Sequence, residues 1–509
     1  MKHAQTSILF VIAISAAILM LSSVSAFAQI TRPLVPQATP KTPAARPMAA
    51  TPQAAPAPAP ATTASAGQKY VLKSGRKAGL MDKVVYQQDI QGKLMIPSAE
   101  NSDKLPAGAA KPEKTTIKTA SGTTVEMDVY PVKAQTKLQY NEKTVKCGQE
   151  DNTFSIQALR NYQTVSVQRT VNGENDTITL PEEKMTLGVD VEGANVIFFH
   201  KKYCMNQDEL DALEVMAPSL TLETLLPTEP VAVGDTWSIT EDSLGALLQL
   251  DLLTQAQVEQ VLTDVKGTTA IIDAQGLASG EIDGVKTIIN FKLKYYYSLK
   301  TNRVIWAGMV TNEERRSGPI TPDLAIETRV QMTITPAGPA DDAKLAAEQW
   351  VDPTDELLLI HYTALDGTWT MFHDRNWCIF KNEPNQVIFR FMYQGEYIAQ
   401  CVINKTNNPE SMKNMTLAEF RKQVEEAVME ENEKTRSIVA ANEEVSPSNV
   451  TIFQVVASDS SDGSQWGYYM LKGPKATQQL VFMFMLDGEN AEAVGETDMQ
   501  MIGTLEFKK

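Results

Sequence analysis

Apolar and polar positions alternate most cleanly over residues 291–300. Phe291, Leu293, Tyr295, Tyr297 and Leu299 fall on one face, and Lys292, Lys294, Tyr296, Ser298 and Lys300 on the other. A period of two sets one face on a core and the other in water, which predicts an antiparallel sheet with one wet side. The turn-like Lys300-Thr301-Asn302-Arg303 leads into a further predicted strand over 303–310. Strand-like patterning of this kind extends from about Lys69 to Pro336. Two helices are predicted to interrupt it. Asn206 and Glu209 have the spacing of a reciprocal capping box ahead of Leu210, Leu213 and Met216. Thr254 and Gln257 have the same spacing ahead of Val258, Val261 and Leu262. Between them, Pro230-Val231-Ala232-Val233-Gly234-Asp235-Thr236-Trp237 reads as a tight turn feeding a strand.

The Pro/Gly/Asp run from Pro336 to Asp342 breaks the pattern, and the grammar changes after about Trp350. Strands are predicted at 369–373 with 377–380, and at 387–393, 397–403, 450–457, 465–471 and 479–486. A long helix lies between the third and fourth of these. It opens with the capping box Thr416-Leu417-Ala418-Glu419 and carries the stripe Leu417, Phe420, Val424 and Val428. A second helix at 493–501 precedes a last short strand at 504–507. Residues 481–486, Val-Phe-Met-Phe-Met-Leu, are apolar at every position, so that strand is predicted to be central in a sheet covered on both faces.

This order of elements resembles the PsbP-like fold over residues 360–509, together with the phrases Gly395-Glu396-Tyr397-Ile398-Ala399 and Trp466-Gly467-Tyr468-Tyr469. The resemblance implies a generally non-enzymatic α/β/α sandwich on an antiparallel sheet and brings no site residues with it. The expected fold class is therefore α+β. An antiparallel β-rich domain with a few helices occupies 69–340, and a PsbP-like sandwich occupies 350–509.

The N-terminus adds a destination. Lys2 and His3 precede an apolar stretch from Ile8 to Leu21, and Ala26-Phe27-Ala28 offers a small-residue cleavage pattern. Residues 1–28 thus read as a signal peptide cut between Ala28 and Gln29, with export to the periplasm or the exterior. Left uncleaved, the same segment is a membrane anchor. No other run approaches the ~20 apolar residues of a spanning helix, so no stable membrane insertion is expected after cleavage. Residues 29–68, rich in Pro, Ala and Thr, read as a disordered, extended linker.

Export permits disulfides among Cys147, Cys204, Cys378 and Cys401. Cys147 and Cys204 flank a β-rich stretch and form the candidate bridge, worth about 4 kcal/mol on the chain-entropy model. Cys378 and Cys401 lie on the first and third strands of a predicted meander, so these two are expected to be free thiols.

Composition narrows function mainly by exclusion. Hydrophobic residues make up 43% of the 509 residues, enough for sizeable cores. A formal net charge of -16 argues against nucleic acid, whose phosphates demand Lys/Arg surfaces. Beyond the leader only His200, His361 and His373 remain, with no helical metal spacing and no Cys-x-x-Cys. Ser74-Gly75-Arg76-Lys77 matches Ser-x-x-Lys without its companion motifs, and Cys378, flanked by Trp377 and Ile379, reads as a core thiol. Met483 and Met485 read as core packing rather than a copper site. Neither a catalytic residue nor a cofactor is expected. The leading expectation is an exported, non-enzymatic binding or scaffold protein with an envelope protein as partner. One alternative is a carrier of an apolar ligand or lipid, with Tyr295, Tyr297 and Leu299 lining a cavity under a curved sheet; another is an enzyme whose site carries no recognised motif. Tyr296, on the wet face, is a candidate for recognition.

Overall fold

A computed structural model describes residues 67–98, 112–118, 124–150, 153–405, 414–430, 436–460, 463–475, 478–486 and 491–508. The expected signal segment with its Ala28–Gln29 cleavage point lies outside the described residues, as does all of the 29–68 linker except its last two residues.

The first half of the chain forms a 13-stranded sheet in which every pairing is antiparallel. One flank runs through Thr236–Trp237, Leu252–Lys266, Thr269–Ile282, Val285–Ser298, Arg303–Arg315 and Asp323–Ala337. The chain's first long strand, Met81–Pro97, then joins that flank to Thr124–Glu150, Thr153–Val171, Thr186–Glu192 and Asn195–Phe199. Glu113–Lys118 and Glu174–Ile178 pair beside this path. Val285–Ser298 alternates buried and exposed positions as its sequence predicts, and Asn302 takes the left-handed conformation (φ 55°) in the turn that follows.

Residues 205–250 cover the apolar face. The Asn206 capping box is formed and starts the helix Gln207–Asp211. A second helix, Glu241–Leu248, begins at Thr240, whose hydroxyl accepts from the Ser243 amide. Leu213, Leu222, Leu225, Leu244 and Leu247 pack in one continuous core with Phe291, Tyr295 and Tyr297. The helix predicted after Thr254 is absent, because that segment lies within the strand Leu252–Lys266. Val258, Gln260 and Leu262 point inward there. The buried Gln260 masks the period of two, and Val258, Val261 and Leu262 mimic helical spacing by coincidence.

The second half forms a seven-stranded antiparallel sheet in the order Trp377–Glu383, Gln386–Tyr393, Glu396–Lys405, Gln479–Leu486, Gln465–Lys472, Thr451–Asp459, Arg436–Val445. The strand Gln479–Leu486, which contains the apolar run 481–486, is fourth of seven, central as expected. The helix Leu417–Glu430 has its predicted capping box and covers one face, with Phe420, Val424 and Val428 against Phe453, Val455 and Met470.

The expected α+β class and α/β/α sandwich are overturned. Of the described residues 59% are strand and 13% helix, a predominantly antiparallel β fold. The reason lies in the second cover of this sheet. It is a three-stranded sheet, Ile360–Thr363, Trp369–His373 and Glu506–Phe507, helped by the short helices Ala491–Val494 and Thr497–Gly503. Trp369, Met371, Met501 and Ile502 from this cover pack on Phe389, Phe391, Phe482 and Phe484. A doubly buried strand requires two covers but does not specify that both be helical.

Between the two sheets, Asp342 caps the helix Ala343–Ala347 and accepts from the side-chain amides of Asn141 (3.0 Å) and Asn161 (2.7 Å). Leu345 packs with Met81 and Leu159. Replacing Asp342 by Ala removes the cap and both amide contacts. The expected loss is about 1–2 kcal/mol, read as a lower urea midpoint.

All four cysteines are free thiols, so the expected Cys147–Cys204 bridge is not formed. Cys147, within Thr124–Glu150, directs its thiol to the Arg76 carbonyl (3.4 Å), and Cys204 directs its thiol to the Glu356 carbonyl (3.1 Å). Cys378 and Cys401 occupy the outer strands of the expected meander, with Gln386–Tyr393 between them. Among the described residues no helix is long and apolar enough to cross a membrane.

Candidate functional site

The face of the large sheet opposite its core carries a trough of about 830 Å³. Strand register builds it from two rows of outward side chains, two residues apart on each of six strands. One row runs Val261, Asp273, Lys294, Gly308, Gln331, Gln87. The other runs Glu259, Gln275, Lys292, Val310, Arg329, Asp89. Tyr296 and Trp306 stand opposite each other in the next row, with ring centroids 4.8 Å apart at 35°.

Gly308 sets the floor. A Cβ there would lie 2.7 Å from Cη2 of Trp306, so only glycine lets the indole lie down along the strand. The ring is partly buried, and its Nε1 is withdrawn from solvent and, among the described residues, has no hydrogen-bond partner. Around this platform charges of both signs are interleaved. Lys294 Nζ lies 3.0 Å from Asp273 Oδ1, and Arg329 Nε donates to Glu327 at 2.8 Å. Asp89 accepts from Gln135 (2.7 Å) and Gln87 (2.8 Å). The lining holds three cations, Lys292, Lys294 and Arg329, against three carboxylates, Asp89, Asp273 and Glu259.

No family model matches this chain, and no curated protein matches it either. Any function must therefore be argued from the geometry itself.

Of the residues singled out from sequence, Tyr296 lies beside the trough, its ring tilted against Trp306. Tyr295, Tyr297 and Leu299 lie on the opposite face. Tyr295 and Tyr297 are fully buried, donating to Gln260 Oε1 (3.0 Å) and to the Lys73 carbonyl (2.7 Å), and Leu299 packs at the core's margin. The face they line is filled by residues 205–250, so an apolar ligand could enter only by displacing that segment. Trp306, Arg329, Gln331 and Gln87 escaped sequence reading. Their one local signal was Gly308, inside a strand two residues after a tryptophan.

The filled face is fastened by a buried ionic network. Glu142 pairs with Arg160 (3.0 Å) and Arg76 (3.1 Å) and accepts from Ser219 (2.7 Å). Arg303 pairs with Asp82 (2.6 Å) and with Glu223. Ser219 and Glu223 belong to the covering segment and the rest to the sheet or to the strap preceding it. Burial alone would raise the Glu142 carboxyl, but the Arg160 and Arg76 guanidiniums outweigh it and hold the group below its usual range. These side chains are engaged with one another and face no open space.

The other chemistry-bearing residues are dispersed. His200 stacks on Tyr203 and accepts from the Lys202 and Tyr203 amides. His373 is completely buried. Burial also pushes the Cys378 thiol well above its ordinary value, away from a nucleophilic thiolate. Ser74 donates to Glu223, whereas Lys77 points to solvent, so Ser-x-x-Lys forms no pair. Among the described residues no group of three His, Cys, Asp or Glu could hold a metal ion.

Proposed function

We propose that this chain is an exported, non-enzymatic binding protein of the periplasm or cell envelope, and that its ligand lies in the trough on the open face of the large sheet. The observation that carries this reading is the trough itself. Its volume lies within the roughly 300–1,000 Å³ of ligand clefts, and it joins an aromatic platform to converging amide, carboxylate and cationic side chains. Such a lining can hold and orient a molecule. The leader at 1–28 and the linker at 29–68 support placement outside the cytoplasm, with the domain standing off from a surface.

A mixed library of oligosaccharides, short peptides, nucleosides and short-chain lipids, screened by saturation-transfer NMR, tests the reading. At least one class is expected to receive saturation from the wild-type protein and to lose it in Gln331→Trp, which fills the trough from an outward position. Signals unchanged by Gln331→Trp, or no signal from any class, would refute the assignment of the site.

A further inference from the structure

Resting on that reading of the trough, we infer that its ligand is a neutral glycan, held with sugar faces against the Trp306–Tyr296 platform. The indole lies down over Gly308 with no side chain beneath it to tip it up, and packs against Tyr296, so the partly exposed pair presents aromatic surface to the trough. A pyranose ring matches such a surface, because its axial C–H bonds form an apolar face while its hydroxyls project around the rim. Hydroxyls that both donate and accept suit a rim built from amides, carboxylates, lysines and an arginine. The side chains of each row are repeated from strand to strand, about 4.8 Å apart. That spacing is close to the length of one sugar unit along a chain, so successive strands would meet successive units.

Charge selects among polar ligands. Three cations and three carboxylates line the trough, and Lys294 is already paired with Asp273. An anionic ligand would confront Asp89, Asp273 and Glu259, and a cationic one would confront the two lysines and Arg329. A neutral polyol avoids both penalties. A peptide could not add itself as a strand, because the floor is sheet interior whose backbone groups are already committed to the ladders of six strands. An acyl chain would have to lie against charged and amide side chains.

The test is isothermal titration of residues 29–509 with neutral tetrasaccharides: β-1,4- and α-1,4-linked glucose, and β-1,4-linked N-acetylglucosamine. A tetragalacturonate and a neutral tetrapeptide serve as comparators. At least one neutral tetrasaccharide is expected to bind saturably, and Trp306→Ala is expected to weaken it about tenfold or more. Tyr393→Ala, at an exposed position away from the trough, should leave binding unchanged. Should Trp306→Ala fail to fold, Gln331→Ala, an outward position, is expected to weaken binding in the same direction. Trough-dependent binding of only the anionic sugar or only the peptide would overturn the neutral-glycan inference while leaving the trough as the binding site. Binding of none would overturn the inference, and the library screen would then decide the site separately.

Discussion

Glu142→Gln is expected to cost roughly 3–5 kcal/mol of stability, the range for removing one partner from a buried ion pair. The carboxylate is 1% exposed and faces Arg160 and Arg76, whose side chains are 1% and 2% exposed. Glutamine keeps the shape and an acceptor for Ser219 but leaves the guanidinium of Arg160 buried without its counter-charge. Arg76 keeps its hydrogen bonds to Thr144 and the Ser219 carbonyl, but its one remaining ion pair is the longer contact to Glu223 at 3.7 Å. The double variant Glu142→Gln/Arg160→Met should recover much of the loss, since both charges then leave together. By contrast, Glu126→Gln breaks the exposed pair with Lys114 and should change stability by less than about 1 kcal/mol. Urea unfolding of the four proteins checks all of this. Equal midpoints for Glu142→Gln and Glu126→Gln would show that the buried network does not fasten residues 205–250 to the sheet.

Acid is expected to weaken the second half of the chain through His373. Burial pushes its imidazole down to about 4 from an ordinary value of 6.5. Nδ1 lies 2.9 Å from the Asp374 carbonyl oxygen, and the ring packs edge-on to Phe389. Because the folded value is the lower one, the unfolded chain takes up a proton first as pH falls below 6.5. Stability is therefore whole above 6.5 and declines until pH reaches about 4, where the folded form also protonates. By pH 4.5 the loss is roughly 2–3 kcal/mol. Glu142, with its folded value lowered, adds a further loss only below its ordinary value of 4.5. His373→Phe should flatten the decline between pH 6.5 and 4.5 in urea melts. An unchanged slope in that variant would assign the acid sensitivity to other groups.

These contrasts show where the sequence was legible. Alternation over 291–300 identified the strand that runs from Val285 to Ser298 and both of its faces, and the unbroken apolar run at 481–486 identified a central strand. Both signals are local, and one-sided or two-sided burial is what they report. A buried polar residue defeats them, as Gln260 did when it disguised a strand as a helix. The edge strand Arg436–Val445 was unmarked, because most of its residues are exposed and none is fully buried. The nature of the layer covering a strand is likewise absent from that strand's own pattern, which is how a small sheet came to stand where a helical layer was expected. The trough was least legible of all. Its rows run from Gln87 to Gln331 and exist only after six strands are in register. Only Tyr296 announced itself in advance, as an aromatic on a polar face.

The most direct measurement is fluorine NMR of protein carrying 5-fluorotryptophan at its six tryptophans, with the Trp306 resonance assigned by its disappearance in Trp306→Phe. Adding the oligosaccharide that binds should move that resonance saturably and leave the other five in place. A ligand that binds without moving it, or that moves the buried Trp377 instead, would contradict a binding site on the open face of the large sheet.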